Sequence, residues 1–302
     1  MTEPLYAGVE LGGTKCVCIL AAGPDRVVAT ERIATGAPGA TLGRIVEVLR
    51  EWDVGTRARA LGVGSFGPLE LDPDAPDYGH VVRTPKPGWS GVDIVGPLVA
   101  ATGLPVMLDT DVAGAALAEG RWGAARGLAS HAYVTVGTGI GVGIVVNGQA
   151  VRGLGHPEAG HLRIARMAGD DWPGHCPYHG DCVEGLAAGP AIAARSGRAA
   201  ELLSPDDPAW DGVVHALAMM LHNLVLTTAP QRILLGGGVP VGQPHLIPRI
   251  RAALVASLGG YAHAERVAGD IERFVSGPEL GAMAGPMGAI ALARLAIADV
   301  AA

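Results

Sequence analysis

The stretch GVELGGTKCVC at residues 8–18 predicts the fold of this chain. An apolar run covers residues 5–11, Gly-Gly-Thr follows at 12–14, and a second apolar run covers 15–22. Two such runs folded about glycines are typical of a strand hairpin. The pattern returns in VTVGTGIGVG at residues 134–143, where Gly-Thr-Gly again separates two apolar runs. Two glycine-tipped hairpins predict a duplicated domain with a cleft between the copies.

Strands alternate with helices along the rest of the chain, which predicts the α/β class. We expect further strands at 27–34, 61–66, 106–108, 132–136, 140–147, 149–152 and 232–235, and helices at 40–54, 112–122, 213–228 and 286–298. The Pro-rich stretch 72–97 reads as a long surface loop and 156–190 as an irregular polar insert. The expected domains are 1–112, joined by the C-terminal segment 286–302, and 113–285 with the insert.

Composition excludes several classes of protein. Of 302 residues, 49% are hydrophobic and 17% are charged, as in globular proteins, and the net charge of -7 with no basic run argues against nucleic acid as a partner. The N-terminus lacks the features of a signal peptide, and glycines interrupt the apolar stretches before they reach about 20 residues. We therefore expect a cytoplasmic protein with no membrane partner, in which Cys16 and Cys18 are core thiols.

Three glycine clusters follow predicted strands, at residues 12–15, 137–139 and 236–238. Glycine lets backbone N–H groups approach an anion, and threonine adds a hydroxyl donor. The first cluster has neither the P-loop nor the dinucleotide-binding spacing, because it leads into a strand. A single cluster is well explained as a tight turn, whereas three in this order favour a phosphate-binding clamp.

Asp109 and Asp111 lie where a predicted strand ends and a helix begins. Asp111 could cap the helix by accepting its free N–H groups. A carboxylate at the end of a strand is equally well placed to accept a proton from an attacking hydroxyl. The residues alone leave both interpretations open.

The insert carries a set of metal ligands. Cys176, His179 and Cys182 are spaced three apart, and His161 precedes them, so two Cys and two His match tetrahedral zinc. His156 or His175 could replace His161. Four protein ligands close the site, which makes the zinc structural and lets it stabilise the insert; the alternative is a set of scattered polar residues.

Two acids flank the ligand set. Glu158 precedes His161 by three residues, and Glu184 follows Cys182 by two. A zinc that fixes the insert would also fix these carboxylates, which suit sugar hydroxyls as hydrogen-bond acceptors. Two solvated surface acids are the simpler explanation when the pair is considered alone.

Taken together, these segments resemble the ROK family of sugar kinases, and within it the bacterial zinc-containing fructokinases. The resemblance covers nearly the whole chain. It is carried by GVELGGTKCVC (8–18), FGPLE (66–70), TPKPGW (84–89), DTDVAGAALAEG (109–120), VTVGTGIGVG (134–143), GHPEAGHL (155–162), CPYHGDCVEGLAAGP (176–190) and LLGGGV (234–239).

The resemblance implies two ribonuclease-H-like domains of the actin-like ATPase fold around a central cleft, in which ATP with Mg²⁺ phosphorylates a sugar, most closely fructose at O6. It implies Asp111 as the general base and a homodimer. Nucleotide binding falls to Gly12, Gly13, Thr14, Lys15, Thr138, Gly139, Gly237 and Gly238. Sugar binding falls to Gly67, Pro68, Trp89, Thr110, Asp111, Glu158, His161 and Glu184. Structural zinc falls to His161, Cys176, His179 and Cys182.

Two departures from the family pattern bear on the substrate. Glucokinase-like members place Asn before the base, where this chain has Thr110, which favours fructose; Ala113 stands where many members carry Asn. The alternatives are a kinase for glucose, mannose or an N-acetylated hexosamine, and a sugar-responsive repressor or sensor without catalysis. The repressors carry an N-terminal winged helix, for which a first strand beginning at Leu5 leaves no room, and Asp111 argues against a sensor.

Overall fold

The computed structural model describes residues 3–298. Its strands are β1 (Leu5–Leu11), β2 (Lys15–Gly23), β3 (Arg26–Ala34), β4 (Ala58–Ser65), β5 (Val106–Thr110), β6 (His131–Val136), β7 (Ile140–Val146), β8 (Gln149–Ala150), β9 (Ile233–Gly236) and β10 (Val275–Ser276). Its α-helices are α1 (Pro38–Glu51), α2 (Val54–Arg57), α3 (Val95–Thr102), α4 (Asp111–Trp122), α5 (Val183–Ala187), α6 (Gly189–Ser196), α7 (Ala209–Thr228), α8 (Gly238–Gly242), α9 (Leu246–Leu258), α10 (Ala264–Gly269), α11 (Ile271–Phe274) and α12 (Ala284–Ala298).

The chain divides into two compact units. Among the described residues, unit 1 comprises 3–127, 149–156 and 279–298, and unit 2 comprises 128–148 and 157–278. The predicted domains, 1–112 and 113–285, differ from these units chiefly because α4 packs against α12 and therefore belongs to unit 1. The predicted C-terminal segment 286–302 falls in unit 1 as far as Ala298, and residues 299–302 lie outside the described part of the chain.

Unit 1 is built on a five-stranded sheet of order β3-β2-β1-β4-β5. The hairpin of β1 and β2 is antiparallel, as the apolar runs around Gly12 predict, and β4 and β5 run parallel to β1. Side chains alternate between the faces of a strand. Residues such as Val9 and Leu61 therefore pack on one face with α1 and α3, while Tyr6 and Ala60 pack on the other with α12.

Helix α12 lies unusually close to this sheet. A Cβ atom on Gly62 of β4 would stand 1.9 Å from the Ala289 carbonyl oxygen, so only glycine permits the contact. The same holds between helices, because a Cβ on Gly288 would come within 2.5 Å of the Gly114 backbone in α4. These two glycines serve close packing, unlike the three glycine clusters that the sequence places after strands.

Unit 2 repeats the strand arrangement of unit 1. Its strands run in the order β10-β9-β6-β7, which matches β5-β4-β1-β2. The β6–β7 hairpin is antiparallel and β9 runs parallel to β6. The short strand β8 follows β7 in the chain. The predicted duplication is therefore visible in the topology.

The apolar helix α7 is the core helix of unit 2. It is the one helix between residues 3 and 298 that is long and apolar enough to cross a membrane, which the glycine-interrupted sequence did not predict. Within the protein 61% of its apolar window is buried, and it packs against α5 and α9. Its apolar composition therefore matches its place in the core.

Several elements were missed in the sequence. Helices α3, α6 and α9 each carry a proline in the first turn, where its missing N–H costs nothing, although proline elsewhere signals a loop. The insert 156–190 was expected to be irregular, yet it contains α5 and the start of α6. These helices are short or proline-interrupted, so their hydrophobic period is weak.

Glu119 is a buried acid that connects two segments of unit 1. Its carboxylate accepts hydrogen bonds from the backbone N–H groups of Ala124 at 2.8 Å and of Leu280 at 2.9 Å. We expect Glu119→Gln to lower the free energy of unfolding by about 1–3 kcal/mol, because the amide nitrogen would face an N–H donor. Urea-induced unfolding followed by circular dichroism measures this change.

Glu265→Gln is the matched control, since Glu265 is exposed on α10. An unfolding free energy for Glu119→Gln equal to that of this control would show that the buried carboxylate contributes nothing.

Candidate functional site

Three parallel strands of unit 1 bring predicted site residues to one edge of the sheet. Leu11 of β1 is in register with Ser65 of β4, and Ser65 is in register with Thr110 of β5. All three residues end their strands. The Gly12–Thr14 turn, the 66–68 turn and Asp111 therefore begin at the same edge, where ligands bind in α/β sheets.

The glycine turn after β1 is closed by hydrogen bonds and exposed to solvent. The N–H of Gly12 donates to the Lys15 carbonyl at 3.0 Å, and the Thr35 hydroxyl donates to the Gly12 carbonyl at 2.8 Å. Gly13, Thr14 and Lys15 are exposed. A fixed, uncovered backbone turn of this kind suits an anionic ligand.

Asp111 is the first residue of α4, and the capping residue is its neighbour. The Thr110 hydroxyl accepts the Ala113 N–H at 3.1 Å, so Thr110 caps the helix, and the capping interpretation that the sequence left open for Asp111 does not apply. This bond also occupies Thr110, a predicted sugar ligand whose side chain is buried. Asp111 is thereby left available for chemistry, although its carboxylate accepts the Val112 N–H at 2.9 Å.

Burial raises the pKa of the Asp111 carboxyl to about 6. A carboxylate with this pKa is mostly ionised at neutral pH and is a stronger base than an exposed aspartate. The arrangement suits an acceptor for a hydroxyl proton.

Glu10 is an acid at this edge that the sequence analysis missed. It precedes the glycine turn by two residues, and burial, followed by the charge of Asp111, raises its pKa to about 7. Its carboxylate packs against Gly285 at the start of α12. An acid inside the strand GVEL, directly before two glycines, was the available signal.

Asp109 has a structural role. It is 1% exposed, and its carboxylate pairs with the Arg152 guanidinium at 2.7 Å. Arg152 also donates to the Leu108 carbonyl at 3.1 Å. Two guanidinium nitrogens donate to one oxygen of Asp109, and this charged pairing holds the end of β5 just before Asp111.

The predicted sugar loops of unit 1 are tied to the sheet edge. Gly67 and Pro68 are joined by a cis peptide bond, and the next residue, Leu69, donates its N–H to Nε2 of His156 at 3.0 Å. His156 therefore belongs to this loop in unit 1 and is not the spare zinc ligand that its sequence position suggested. Trp89 is fully buried and donates to the Gly36 carbonyl, so it offers no surface to a sugar in this conformation.

In unit 2 the second glycine turn is held by Glu184. One carboxylate oxygen of Glu184 accepts the Ile140 N–H at 2.9 Å, directly after the Thr138-Gly139 pair. A Cβ on Gly139 would stand 2.7 Å from that oxygen, so glycine is needed there. Thr138 is exposed at the tip.

The third glycine cluster lies at the same sheet edge as the second. Thr135 of β6 is in register with Gly236 of β9, and the two strands are parallel. Gly237 has φ of 92°, and a Cβ there would stand 2.4 Å from the Val136 backbone. Gly237 is therefore required by conformation and by space, and Gly238 is exposed beside it.

The four predicted zinc ligands meet in unit 2. Their ligand atoms lie within 4.8 Å of one another in the cluster His161, Cys176, His179 and Cys182. Nδ1 of His161 is 3.6 Å from Sγ of Cys176 and 3.5 Å from Sγ of Cys182. Tetrahedral zinc with bonds of about 2.0–2.3 Å separates neighbouring ligand atoms by roughly 3.3–3.8 Å. The cluster therefore fits a zinc ion, with His161 rather than His175 as its fourth ligand.

The two acids predicted beside the zinc ligands, Glu184 and Glu158, lie in different surroundings. The second carboxylate oxygen of Glu184 lies 3.9 Å from Nε2 of His161, the ring nitrogen that faces away from the cluster. Glu158 is exposed and precedes a 3-10 turn that ends at His161.

A cavity of about 490 Å³ elsewhere in unit 2 is lined by none of the predicted residues.

Comparisons with known proteins agree with this geometry. The model of the ROK family matches residues 6–296. The fructokinase of Zymomonas mobilis is 40% identical over 299 residues, covering 97% of this chain and 98% of the relative, and that of Pediococcus pentosaceus is 36% identical over 293 residues, covering 97% and 99%.

Solved structures confirm the predicted fold class. The ROK hexokinase from Thermus thermophilus has a TM-score of 0.78 at 29% identity, covering 98% of this chain and 99% of that one. The ROK glucokinase from Streptomyces griseus, solved with glucose and AMPPNP, has a TM-score of 0.75 at 25% identity, covering 96% and 99%. The fold is the α/β, actin-like ATPase fold. With a family match across 6–296 and the two sheets of matching strand order, this chain belongs to the ROK family.

Proposed function

We propose that the protein transfers the γ-phosphoryl group of ATP to the 6-hydroxyl of fructose. The observation that carries the proposal is the register of Leu11, Ser65 and Thr110. Because these residues end neighbouring strands, the glycine turn and the Asp111 carboxylate lie at the same edge of the sheet. Relatives named fructokinase at 36–40% identity over nearly the full chain support fructose as the acceptor.

The proposed reaction uses Asp111 as the general base. As the fructose O6–phosphorus bond forms and the bond from phosphorus to the ADP oxygen breaks, the hydroxyl proton passes to the Asp111 carboxylate. Positioning and charge neutralisation contribute most to such transfers. Mg²⁺, entering with ATP, would neutralise phosphate charge, and the exposed residues 13–15 of the glycine turn would hold the phosphates.

Fructose should be the preferred acceptor. With Mg²⁺ and ATP, we expect kcat/KM for fructose to exceed that for glucose, mannose and N-acetylglucosamine by at least about tenfold. The reason is that Thr110, which stands where glucokinase-like members carry Asn, uses its hydroxyl to cap the helix. A coupled assay of ADP release with each sugar measures these ratios. Higher turnover of another hexose would replace fructose, and ADP release with none of them would refute a sugar kinase.

Asp111→Asn should lose most turnover, by about 10²–10⁴-fold in kcat, while the Kd for fructose changes little. In the unmodified protein kcat/KM should fall about tenfold per pH unit below about pH 6, because the active carboxylate is protonated as the pH falls through its pKa of about 6. The residual activity of the variant should lack this fall. Steady-state kinetics between pH 5 and 8 and calorimetric titration with fructose measure both.

The control for this variant is Asp74→Asn, which removes an exposed loop carboxylate. Near-normal kcat in Asp111→Asn would remove Asp111 from the role of base.

The four-ligand cluster is proposed to hold one structural zinc ion. Two thiolates and two imidazoles complete a tetrahedral set, which leaves no open position for a substrate. With Nδ1 of His161 bound to zinc, its Nε2–H points toward Glu184, the pairing by which carboxylates orient metal-bound histidines. Zinc would thus position Glu184, and through it the turn at Gly139.

We expect about one zinc per purified chain, and we expect Cys182→Ser to lose it and to lower the unfolding temperature by several degrees. Elemental analysis and thermal unfolding measure these quantities. His175→Ala is the matched control, because His175 is exposed in the same insert and lies outside the cluster. Full zinc content in Cys182→Ser, or none in the unmodified protein, would contradict the proposal.

The expected homodimer is supported by the family resemblance alone, and the expected cytoplasmic location by the N-terminal sequence and the glycine-interrupted apolar stretches alone. Light scattering of the purified protein would measure the oligomeric state.

A further inference from the structure

Lys86 joins the loop between β4 and α3 to the glycine turn. Its ammonium nitrogen donates a hydrogen bond to the Gly13 carbonyl, 73 residues away in sequence. The same nitrogen lies 5.7 Å from the centroid of the Phe66 ring. A hydrogen bond and a cation–π contact therefore hold this flexible side chain at the tip of the turn.

The ammonium group retains donors for a ligand. An ammonium has three N–H donors, and among residues 3–298 the Lys86 ammonium donates one hydrogen bond, to the Gly13 carbonyl. The other two donors remain available beside Gly13 and Thr14, and these two residues are exposed. An anion on this turn would find a charged donor already in place.

The charges around the turn require such a cation. Glu10 and Asp111 lie close enough for the charge of Asp111 to raise the pKa of Glu10. A nucleotide triphosphate would bring several more negative charges to this edge. Backbone N–H groups offer only partial positive charge, so a side-chain cation would add a full charge to those of Mg²⁺ and Lys15.

We propose that Lys86 binds the γ-phosphoryl group of ATP and neutralises its charge during transfer. One donor stays on the Gly13 carbonyl and the others bond to γ-phosphate oxygens, while the ammonium keeps its protons. This inference rests on the proposed kinase function, because that function supplies the γ-phosphate. A simpler role would be a latch that only holds the 84–89 loop against the turn.

The two roles predict different nucleotide specificity. We expect Lys86→Gln to weaken binding of AMPPNP, a non-hydrolysable ATP analogue, by roughly 10- to 100-fold, the usual effect of losing a charged hydrogen bond. Binding of ADP, which lacks the γ-phosphate, should change less than about threefold. Calorimetric titrations with Mg²⁺ present measure both affinities.

Kinetics supply the second measurement. In Lys86→Gln, kcat/KM for ATP should fall by at least the loss in AMPPNP affinity, while KM for fructose changes less than about threefold. Lys86→Arg keeps the charge and should recover most of both losses. Arg83→Gln is the matched control, since Arg83 is an exposed cation of the same loop.

Three outcomes would overturn the inference. If Lys86→Gln loses as much ADP affinity as AMPPNP affinity, with or without a lowered unfolding temperature, Lys86 acts only as the latch. Unchanged nucleotide binding with a raised KM for fructose would indicate that Lys86 contacts the sugar. Unchanged kcat and KM in Lys86→Gln would indicate that Lys86 has no role in the reaction.

The test also separates this inference from the proposed function. If the unmodified protein binds AMPPNP but phosphorylates no sugar, the proposed function fails and the AMPPNP-to-ADP comparison still decides the role of Lys86. If the unmodified protein binds neither nucleotide, the inference about Lys86 fails as well.

Discussion

The close contact of α12 with β4 and α4 is the constraint on which the site in unit 1 depends. Glycines at 62 and 288 let the backbones meet where any side chain would force them apart. Since α4 begins at Asp111, its packing against α12 fixes the direction from which that carboxylate leaves the sheet. A core contact made by residues far apart in the sequence thereby determines where the proposed base lies.

The edge of the first sheet combines rigidity with exposure. The parallel register of β1, β4 and β5 fixes the starting points of the turns, and the Arg152–Asp109 pair holds the end of β5. Burying the Asp109 carboxylate carries a desolvation cost, which its pairing with Arg152 offsets while fixing its orientation. That cost is tolerable here because transfer of a phosphoryl group depends on positioning to a fraction of an ångström.

Much of the fold and part of the site could be predicted from the sequence. Both hairpins, the α/β class and the four-ligand cluster follow from local patterns, since glycine spacing and Cys/His spacing report chemistry directly. Thr110 and Trp89 could not be placed, because whether a hydroxyl caps a helix or an indole is buried depends on the partners Ala113 and Gly36. Lys86 escaped notice for the same reason, as its partner Gly13 lies 73 residues away.

A chain with a net charge of -7 can still accommodate a polyanion, because local geometry outweighs the total charge. At about 10 Å and beyond, salt screens the many exposed acids, whereas groups within a few ångströms of a ligand are screened much less. The glycine turn offers backbone N–H groups, which carry no net charge. Lys15 follows the turn directly, and the Lys86 ammonium is hydrogen-bonded to it. Two acids lie near the same turn. Burial, followed by the charge of Asp111, raises the pKa of Glu10 to about 7, and burial raises the pKa of Asp111 to about 6, so both carboxyls titrate near neutral pH. Phosphoryl transfer to a hydroxyl requires both phosphate binding and a proton acceptor, the two roles proposed for this edge.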